Sequence, residues 1–315
     1  MEPGLLKSAE WPILIDLYFF LGGVAGGAFA IATIASLLDG RYYRDAVRVG
    51  YYVALLAVIP CPILLIVDLG TPSRFLNMLM VSKPSLEIGM DALTLGPFHL
   101  KPYSPMSVGA WGLMVFSTCA FLCAADVWLA DRRGTTQPRP GLATQTLRIA
   151  GVIGAVAGLF LAAYPGVLLG ATARPLFVNA HGLGALFLAV GAATGSAAIV
   201  LVLGRLRAPQ DTIARVMRVA SVALVIELAA LLLVILSVKS AGSAGLDAAL
   251  ARLLTGTHSL PFWLGAVLLG TLVPLLLQQR VIGARAARLT ALRAILVLAG
   301  GFLVKFVIVS AGQAS

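Results

Sequence analysis

Long apolar segments recur along this sequence, and they constrain the fold more than any other feature. A helix that crosses a bilayer needs about 20 apolar residues. The 315-residue chain is 60% hydrophobic and 11% charged, whereas a soluble domain carries roughly a quarter charged residues. We therefore predict an all-α integral membrane protein with a single membrane domain. Its eight transmembrane helices are expected at about residues 11–38, 47–69, 105–130, 147–170, 178–204, 214–238, 259–279 and 289–312.

Positive charge is concentrated in alternate connections between these segments. The first, third, fifth and seventh connections hold 15 of the 23 Lys and Arg residues, with Arg288 and Arg293 assigned to the seventh. Because cytoplasmic loops are enriched in such residues, both termini are predicted to be exoplasmic. The long connection at residues 70–104 then lies outside too, in the periplasm of a two-membrane bacterium. We predict no nucleic-acid partner, because no soluble domain carries a basic stretch with interleaved aromatics.

Glycines occur at the spacing that lets transmembrane helices pack closely. The stretch LGGVAGGAF, residues 21–29, contains two overlapping pairs of glycines four residues apart, and Gly191 and Gly195 repeat that spacing in the fifth segment. Such pairs allow two helix backbones to approach each other in lipid. We interpret them as structural. A weak similarity between the first and fifth segments also suggests two four-helix bundles.

Several polar residues lie within or at the ends of the apolar segments. Ionisable groups at such depth are costly and are usually retained for a function. The residues near the predicted outer surface are Asp16, Tyr18, Asp68, Arg74, Tyr164 and His181, and the deeper ones are Glu227 and Lys305. We predict that the outer set converges. The deeper two are interpreted either as a buried ion pair or as a proton relay.

The stretch DLGTPSRFLNML, residues 68–79, allows a purely structural interpretation. Asp68 and Arg74 could form an ion pair that holds the outer loop in place. Thr71 could cap a short interfacial helix that has Pro72 at its first position.

A carboxylate and tyrosines just below a membrane surface suit a quinone head group. The oxidised head group needs hydrogen-bond donors, and the reduced one needs a proton acceptor. Tyrosines can supply the donors, and Asp16 can accept the proton. As structural alternatives, Tyr18 could be an ordinary interfacial aromatic residue and His181 could bond a backbone carbonyl.

Three parts of the sequence resemble the NrfD/polysulfide-reductase membrane-subunit family. They are WPILIDLYFFLGGVAGGAF, DLGTPSRFLNML followed by SPMSVGAWGL, and YPGVLLGATARPLF. The resemblance implies an eight-helix anchor in the cytoplasmic (inner) membrane of a bacterium or archaeon. It also implies binding of menaquinone or ubiquinone and no intrinsic haem or metal. The implied partners are a ferredoxin-like iron–sulfur subunit and a catalytic subunit, often of the molybdopterin type.

The resemblance further assigns roles to the outer polar residues. Tyr164 corresponds to a tyrosine that contacts the quinone head group. Tyr18 stands where some members carry a quinone-binding histidine, and Asp16 is interpreted as the replacement proton acceptor. Asp16 and Tyr164 are thus the predicted catalytic pair, and Tyr18 and His181 complete the predicted quinone-binding set.

The predicted function is that of a quinol-binding subunit of a respiratory oxidoreductase, enzymatic only as part of the complex. It would exchange electrons between the membrane quinone pool and the iron–sulfur partner, with proton movement as an added option. Asp68 and Arg74 are assigned to partner docking, and residues 82–103 could add contacts specific to that partner. The alternatives are a secondary transporter that uses Glu227 and Lys305 as a proton relay, and a purely structural anchor.

Overall fold

Nearly all of the described chain is helical. The computed structural model describes residues 11–40, 42–88, 93–134, 142–172, 174–242, 244–277 and 286–313. A 3-10 helix, Pro72–Met78, and a π-helical segment, Pro261–Leu272, accompany the α-helices and a β-hairpin. The elements are α1 (Ile13–Asp39), α2 (Arg44–Val58), α3 (Pro60–Asp68), β1 (Met80–Ile88), β2 (Leu93–Leu100), α4 (Pro105–Arg133), α5 (Leu142–Gly170), α6 (Pro175–Asn179), α7 (Leu183–Arg205), α8 (Gln210–Ser240), α9 (Ala244–Leu254), α10 (Val273–Leu277) and α11 (Ala286–Gln313).

Seven helical stretches of the described chain are long and apolar enough to cross a membrane. They confirm the prediction of an all-α, multi-pass membrane protein. α2 and α3 together form one of the seven, Arg44–Asp68. The predicted segment at 259–279 is a shorter apolar helix, Pro261–Leu277, which ends where the described residues stop. The count of eight spans and the side on which the termini lie stay predictions.

Two residues explain where the helices differ from the predicted segments, and a third residue lies in a different place than predicted. Pro60 lacks a backbone N–H, so the second segment is divided into α2 and α3. The fifth segment begins later than residue 178, because Gly182 adopts a φ of +93° between α6 and α7. Arg293, assigned from the sequence to the seventh connection, is instead buried in α11, where it donates a hydrogen bond to the Ser221 hydroxyl of α8.

The long connection between α3 and α4 contains secondary structure. After α3 it forms the 3-10 helix and then the antiparallel hairpin of β1 and β2. The predicted short helix after Thr71 is confirmed, but the predicted cap is wrong, because the Thr71 side chain makes no capping hydrogen bond. The indole Nε1 of Trp111 donates to the His99 carbonyl at 2.9 Å. This bond anchors the hairpin to α4.

The transmembrane helices form two groups with the same pattern of neighbours. In the first helix group, α1 and α4 each pack against α2 and α5. In the second helix group, α7 and the π-helical segment each pack against α8 and α11. The two groups meet chiefly where α1 packs against α7. These contacts are compatible with the two four-helix bundles suggested by the sequence.

The glycines of LGGVAGGAF give α1 two closely packed faces. One face meets α5, where a Cβ at Gly26 would overlap the backbone of Gly158. The other face meets α7, where a Cβ at Gly27 would overlap the backbone of Gly191. The predicted packing role of these glycines is thereby confirmed. They let α1 pack closely both against α5 of its own group and against α7 of the second helix group.

Candidate functional site

The first turns of α4 are built around the Tyr164 side chain of α5. Ser104 caps the helix by accepting a hydrogen bond from the Ser107 N–H at 3.4 Å. Pro105 follows at the first helical position, where its missing N–H is not needed, and its carbonyl accepts the Tyr164 hydroxyl at 2.6 Å. Gly109 makes room for the ring, because a Cβ there would lie 2.5 Å from the tyrosine hydroxyl oxygen. SPMSVGAWGL therefore forms a seat for Tyr164.

Tyr164 is buried, with 6% of its surface exposed, and its hydrogen-bond donor is already used. A tyrosine hydroxyl carries a single hydrogen, and here this hydrogen points to the Pro105 carbonyl. Another molecule could therefore only donate a hydrogen bond to the Tyr164 hydroxyl oxygen, unless the bond to Pro105 breaks.

Asp16 and Tyr18 lie on different faces of α1. Successive residues of an α-helix are rotated by about 100°, so residues two apart point roughly 160° away from each other. Tyr18 shares a face with Gly22 and Gly26, which meet α5. Asp16 is two turns from Gly23, on the face that meets α7. The structure therefore does not bring these two predicted site residues together.

Tyr18 lies instead near Tyr164 and near Cys61 of α3. Tyr164 and Cys61 each lie within electrostatic range of Tyr18, and all three side chains are buried. The Tyr18 hydroxyl has no hydrogen-bond partner among the described residues. Sequence reasoning did not select Cys61, because its neighbours depend on how α3 packs against α1.

Two buried polar atoms near the start of α1 have no hydrogen-bond partner in the described part of the chain. They are Asp16 Oδ1 and Trp11 Nε1. The Asp16 side chain is 2% exposed. An unsatisfied buried polar atom costs about 1–3 kcal/mol, and more if it is charged, so a polar ligand would be stabilised here. One atom accepts a hydrogen bond when the carboxylate is ionised, and the other donates one.

Trp11 is a site residue that sequence reasoning missed. Its backbone N–H donates to the Gln313 side-chain oxygen at 2.9 Å, and the Gln313 amide donates to the Trp11 carbonyl at 2.9 Å. These bonds tie the start of α1 to the end of α11. Arg174 fixes that end further by donating to the Gln313 carbonyl. In the sequence, a tryptophan at the end of an apolar segment indicates only an interfacial aromatic residue.

Glu227 and Lys305 are buried, but they do not form the direct ion pair that the sequence suggested. Lys305 Nζ donates to the Phe19 carbonyl at 2.6 Å and lies 5.2 Å from the centroid of the Phe187 ring. Glu227 Oε1 accepts a hydrogen bond from Thr271 at 3.2 Å. No ion pair within 4.0 Å joins the two among the described residues. Their role as a proton relay stays a prediction.

Lys305 occupies the boundary between the two helix groups. It belongs to α11, and its ammonium fits beside Gly23 of α1, where a Cβ would lie 2.6 Å from Nζ. Glu227 and Cys61 both lie within electrostatic range of Lys305. Through its hydrogen bond to the Phe19 carbonyl, the lysine links α11 to α1 beside Tyr18.

The other predicted outer residues lie around the site. Asp68 ends α3 half-buried, and Arg74 is exposed in the 3-10 helix. The ion pair considered for these two is not found among the described residues. His181 is exposed and precedes α7, and its backbone N–H donates to the Asn179 carbonyl. No group of three or more His, Cys, Asp or Glu side chains within the described ranges is placed to hold a metal ion.

Comparison with known proteins identifies the family. A family profile described as "Polysulphide reductase, NrfD" matches residues 2–315. The chain belongs to the NrfD family. The resemblance noted in the three sequence stretches is confirmed, and the match extends over nearly the whole chain.

Three relatives of this NrfD-family protein are similar over almost their full length. The C subunit of polysulfide reductase from Wolinella succinogenes is 26% identical, and the match covers 96% of this chain and 94% of the relative. Protein NrfD of Escherichia coli is 28% identical with the same coverage of both proteins. The NrfD homolog of Haemophilus influenzae is 25% identical, again with the same coverage.

Proposed function

We propose that this NrfD-family protein is the quinol-binding membrane subunit of a respiratory oxidoreductase. It exchanges electrons between the membrane quinone pool and an iron–sulfur partner subunit. The observation that carries the proposal is the pair of buried, unpartnered atoms Asp16 Oδ1 and Trp11 Nε1. The family supports a role as one subunit of a reductase complex, and one relative is by name a component of polysulfide reductase.

The two unpartnered atoms fit both redox forms of menaquinone or ubiquinone. When bound, the quinone supplies two-electron, two-proton redox chemistry. Asp16 Oδ1 can accept a hydrogen bond from a quinol hydroxyl and hold its proton. Trp11 Nε1 can donate a hydrogen bond to a quinone carbonyl. Gln313 fixes the Trp11 backbone, so the indole is positioned before the ligand binds.

The face of α1 that carries Tyr18 offers a second position for the head group. The Tyr18 hydroxyl lacks a partner in the described chain, and the Tyr164 oxygen can still accept a hydrogen bond. We assign the head group to the Asp16 side, because Asp16 Oδ1 there and Trp11 Nε1 just before α1 are a buried acceptor and a buried donor without partners in the described chain. Tyr164 then acts as a positioning residue, and we leave the exposed His181 out of the contact set.

The outer connection is the proposed docking surface for the iron–sulfur subunit. Arg74 is exposed there, and the hairpin presents the apolar side chains of Leu86 and Ile88, which are 74% and 78% exposed. Exposed apolar patches with polar surroundings commonly mark protein–protein contacts. Asp68 at the base of the connection shapes this surface. A molybdopterin-type catalytic subunit would follow the iron–sulfur subunit, on the exoplasmic side of a bacterial or archaeal cytoplasmic membrane.

Glu227 and Lys305 are the proposed relay if proton movement accompanies electron transfer. Both are buried without a direct ion pair between them. The Thr271 hydroxyl lies 3.2 Å from Glu227 Oε1 and 3.0 Å from the Ala266 carbonyl, and its one hydrogen can serve only one of these acceptors. A change in the protonation of Glu227 would therefore redirect Thr271.

The relay is tested with Glu227→Gln in the intact complex reconstituted into vesicles. We expect fewer protons moved per electron with unchanged quinol binding, because glutamine cannot carry the proton. The measurement is proton uptake or release against electrons transferred. An unaltered ratio would remove Glu227 from the mechanism.

The quinol site is tested with Asp16→Asn in the purified complex. We expect quinol-linked activity to fall about a hundredfold, because the variant lacks the proton acceptor. Activity of the partner subunits with an artificial electron donor should be unchanged, and the subunits should still purify together. Asp45→Asn, in the first turn of α2, is the control for loss of a carboxylate. Full quinol-linked activity in Asp16→Asn would refute this placement of the site.

A further inference from the structure

A cluster of arginine and tyrosine side chains lies at the membrane end where α1 stops and α2 begins. The Arg215 guanidinium of α8 lies 5.3 Å from the centroid of the Tyr42 ring and 5.9 Å from that of the Tyr43 ring. It donates a hydrogen bond to the Tyr43 hydroxyl at 3.2 Å. The two tyrosine rings meet edge to face, with centroids 4.9 Å apart. This cluster joins the first helix group to the second.

Three exposed arginines concentrate positive charge at this cluster. Arg215 and Arg218 are exposed on one side of α8, and Arg44 is exposed beside the tyrosines. None of the three forms an ion pair within 4.0 Å among the described residues. Arg48, one turn beyond Arg44, differs because its Nε lies 2.7 Å from an Asp131 oxygen.

Two acidic residues near the cluster, Asp39 and Asp211, form no ion pair within 4.0 Å with Arg44, Arg215 or Arg218 in the described chain. The Asp39 carboxylate accepts a hydrogen bond from the Tyr42 backbone N–H at 3.1 Å. Asp211 is one turn from Arg215 on the exposed side of α8, yet the two make no ion pair within 4.0 Å in the described chain. The cluster is therefore suited to bind an anion from outside the protein.

An exposed apolar stripe continues from the cluster along α8. Val222, Ile226 and Leu233 are all exposed, and their spacing of four and seven residues places them on one side of the helix. Arg215 is seven residues before Val222 and lies on the same side. A ligand that matches the whole surface has an anionic head and apolar chains.

We propose that this surface binds an anionic phospholipid. Its phosphate lies between the guanidinium groups of Arg215, Arg218 and Arg44, and its acyl chains follow the stripe on α8. Tyr42 and Tyr43 hold the Arg215 guanidinium at the interfacial depth that aromatic side chains favour. Basic pockets between transmembrane helices bind acidic head groups in this way. The lipid bridges the two helix groups, and this inference does not depend on the quinol site.

The test uses the full chain, freed of lipid in a neutral detergent. Phosphatidylglycerol and phosphatidylcholine with identical acyl chains are titrated separately, and native mass spectrometry measures bound lipid. We expect selective binding of phosphatidylglycerol. Arg215→Gln and Arg218→Gln should each weaken it about fivefold, since one interfacial basic residue contributes roughly 1 kcal/mol. Arg133→Gln, an exposed arginine at the end of α4, is the matched control and should bind normally.

Several results would overturn the proposal. Equal binding of the two lipids would show that the head-group charge is not recognised. Equal weakening by Arg133→Gln would show a general effect of net charge. Full competition by inorganic phosphate at the lipid's own concentration would identify a phosphate site without a lipid requirement. Release of a tightly bound acidic protein by Arg215→Gln, in place of lipid, would assign the surface to a protein partner.

Discussion

The two faces of α1 differ in how completely their buried polar groups are satisfied. On the face toward α5, Tyr164 is buried with its hydroxyl bonded to the Pro105 carbonyl and its ring seated on Gly109. On the face toward α7, Asp16 Oδ1 is buried without a partner in the described chain. Trp11 Nε1, just before the start of α1, also has no partner there. A satisfied network specifies one packing of the helices. An unsatisfied pair costs free energy until a ligand completes it.

Residue type alone therefore does not separate a binding residue from a positioning residue. Tyr164 and Asp16 are both polar side chains near the same membrane surface. Only their hydrogen bonds distinguish them. The Tyr164 hydroxyl donates to the Pro105 carbonyl, whereas Asp16 Oδ1 accepts no hydrogen bond within the described chain. The Tyr18 hydroxyl is an exception, because it lies on the same face of α1 as the contact with α5 and yet has no hydrogen-bond partner among the described residues.

The largest loss of stability around Tyr164 is expected from Gly109→Ala. The added Cβ would lie 2.5 Å from the Tyr164 hydroxyl oxygen, and overpacking of this kind typically costs about 1–3 kcal/mol. The measurement is the thermal unfolding midpoint in detergent. Gly204→Ala is the control, because a Cβ at Gly204 meets nothing within 4 Å. Equal midpoints for the two variants would mean that the seat around Tyr164 adapts freely.

The buried donor near the start of α1 is tested next by Trp11→Phe, which keeps an aromatic ring and removes the indole N–H. We expect quinol-linked activity of the complex to fall about tenfold, the equivalent of one net hydrogen bond of about 1.4 kcal/mol. Trp128→Phe, at the opposite end of the membrane domain, should leave that activity unchanged. If Trp11→Phe retains full activity, the indole does not contact the head group.

The smallest effect is expected from Tyr164→Phe. Loss of the hydrogen bond to the Pro105 carbonyl should lower the free energy of unfolding by about 1 kcal/mol, with quinol-linked activity within about threefold of the original. A loss of activity as large as that of Asp16→Asn, in a protein of normal stability, would move the head group to the Tyr18 face. Tyr18→Phe would then be expected to show the same loss.

Much of the architecture could be predicted from hydropathy alone. The bilayer sets the length of a spanning helix, so the membrane class and the approximate helix positions follow from where apolar residues occur. The break at Pro60 interrupts one segment without changing its length. The glycine spacing in LGGVAGGAF likewise indicated close packing, because few other residues permit it.

The candidate site could be predicted only in part. Asp16, Tyr18 and Tyr164 were selected by their depth in the membrane, and all three are buried. Depth says nothing about direction around the helix, and the rotation of about 100° per residue separates Asp16 from Tyr18. The expected convergence of Asp16 with Tyr18 failed for that reason, whereas Tyr18 and Tyr164 do lie near each other.

The sequence by itself determined which segments are apolar enough to cross a membrane, because transfer into lipid depends on local composition. Only the tertiary structure decided which polar atoms are left without partners. The hydrogen bonds between Trp11 and Gln313 join residues that are 302 positions apart. The hydrogen bond from Tyr164 to the Pro105 carbonyl joins residues that are 59 positions apart. Such bonds depend on how the helices pack together, so no local pattern could reveal that Trp11 Nε1 and Asp16 Oδ1 have no partner within the described chain.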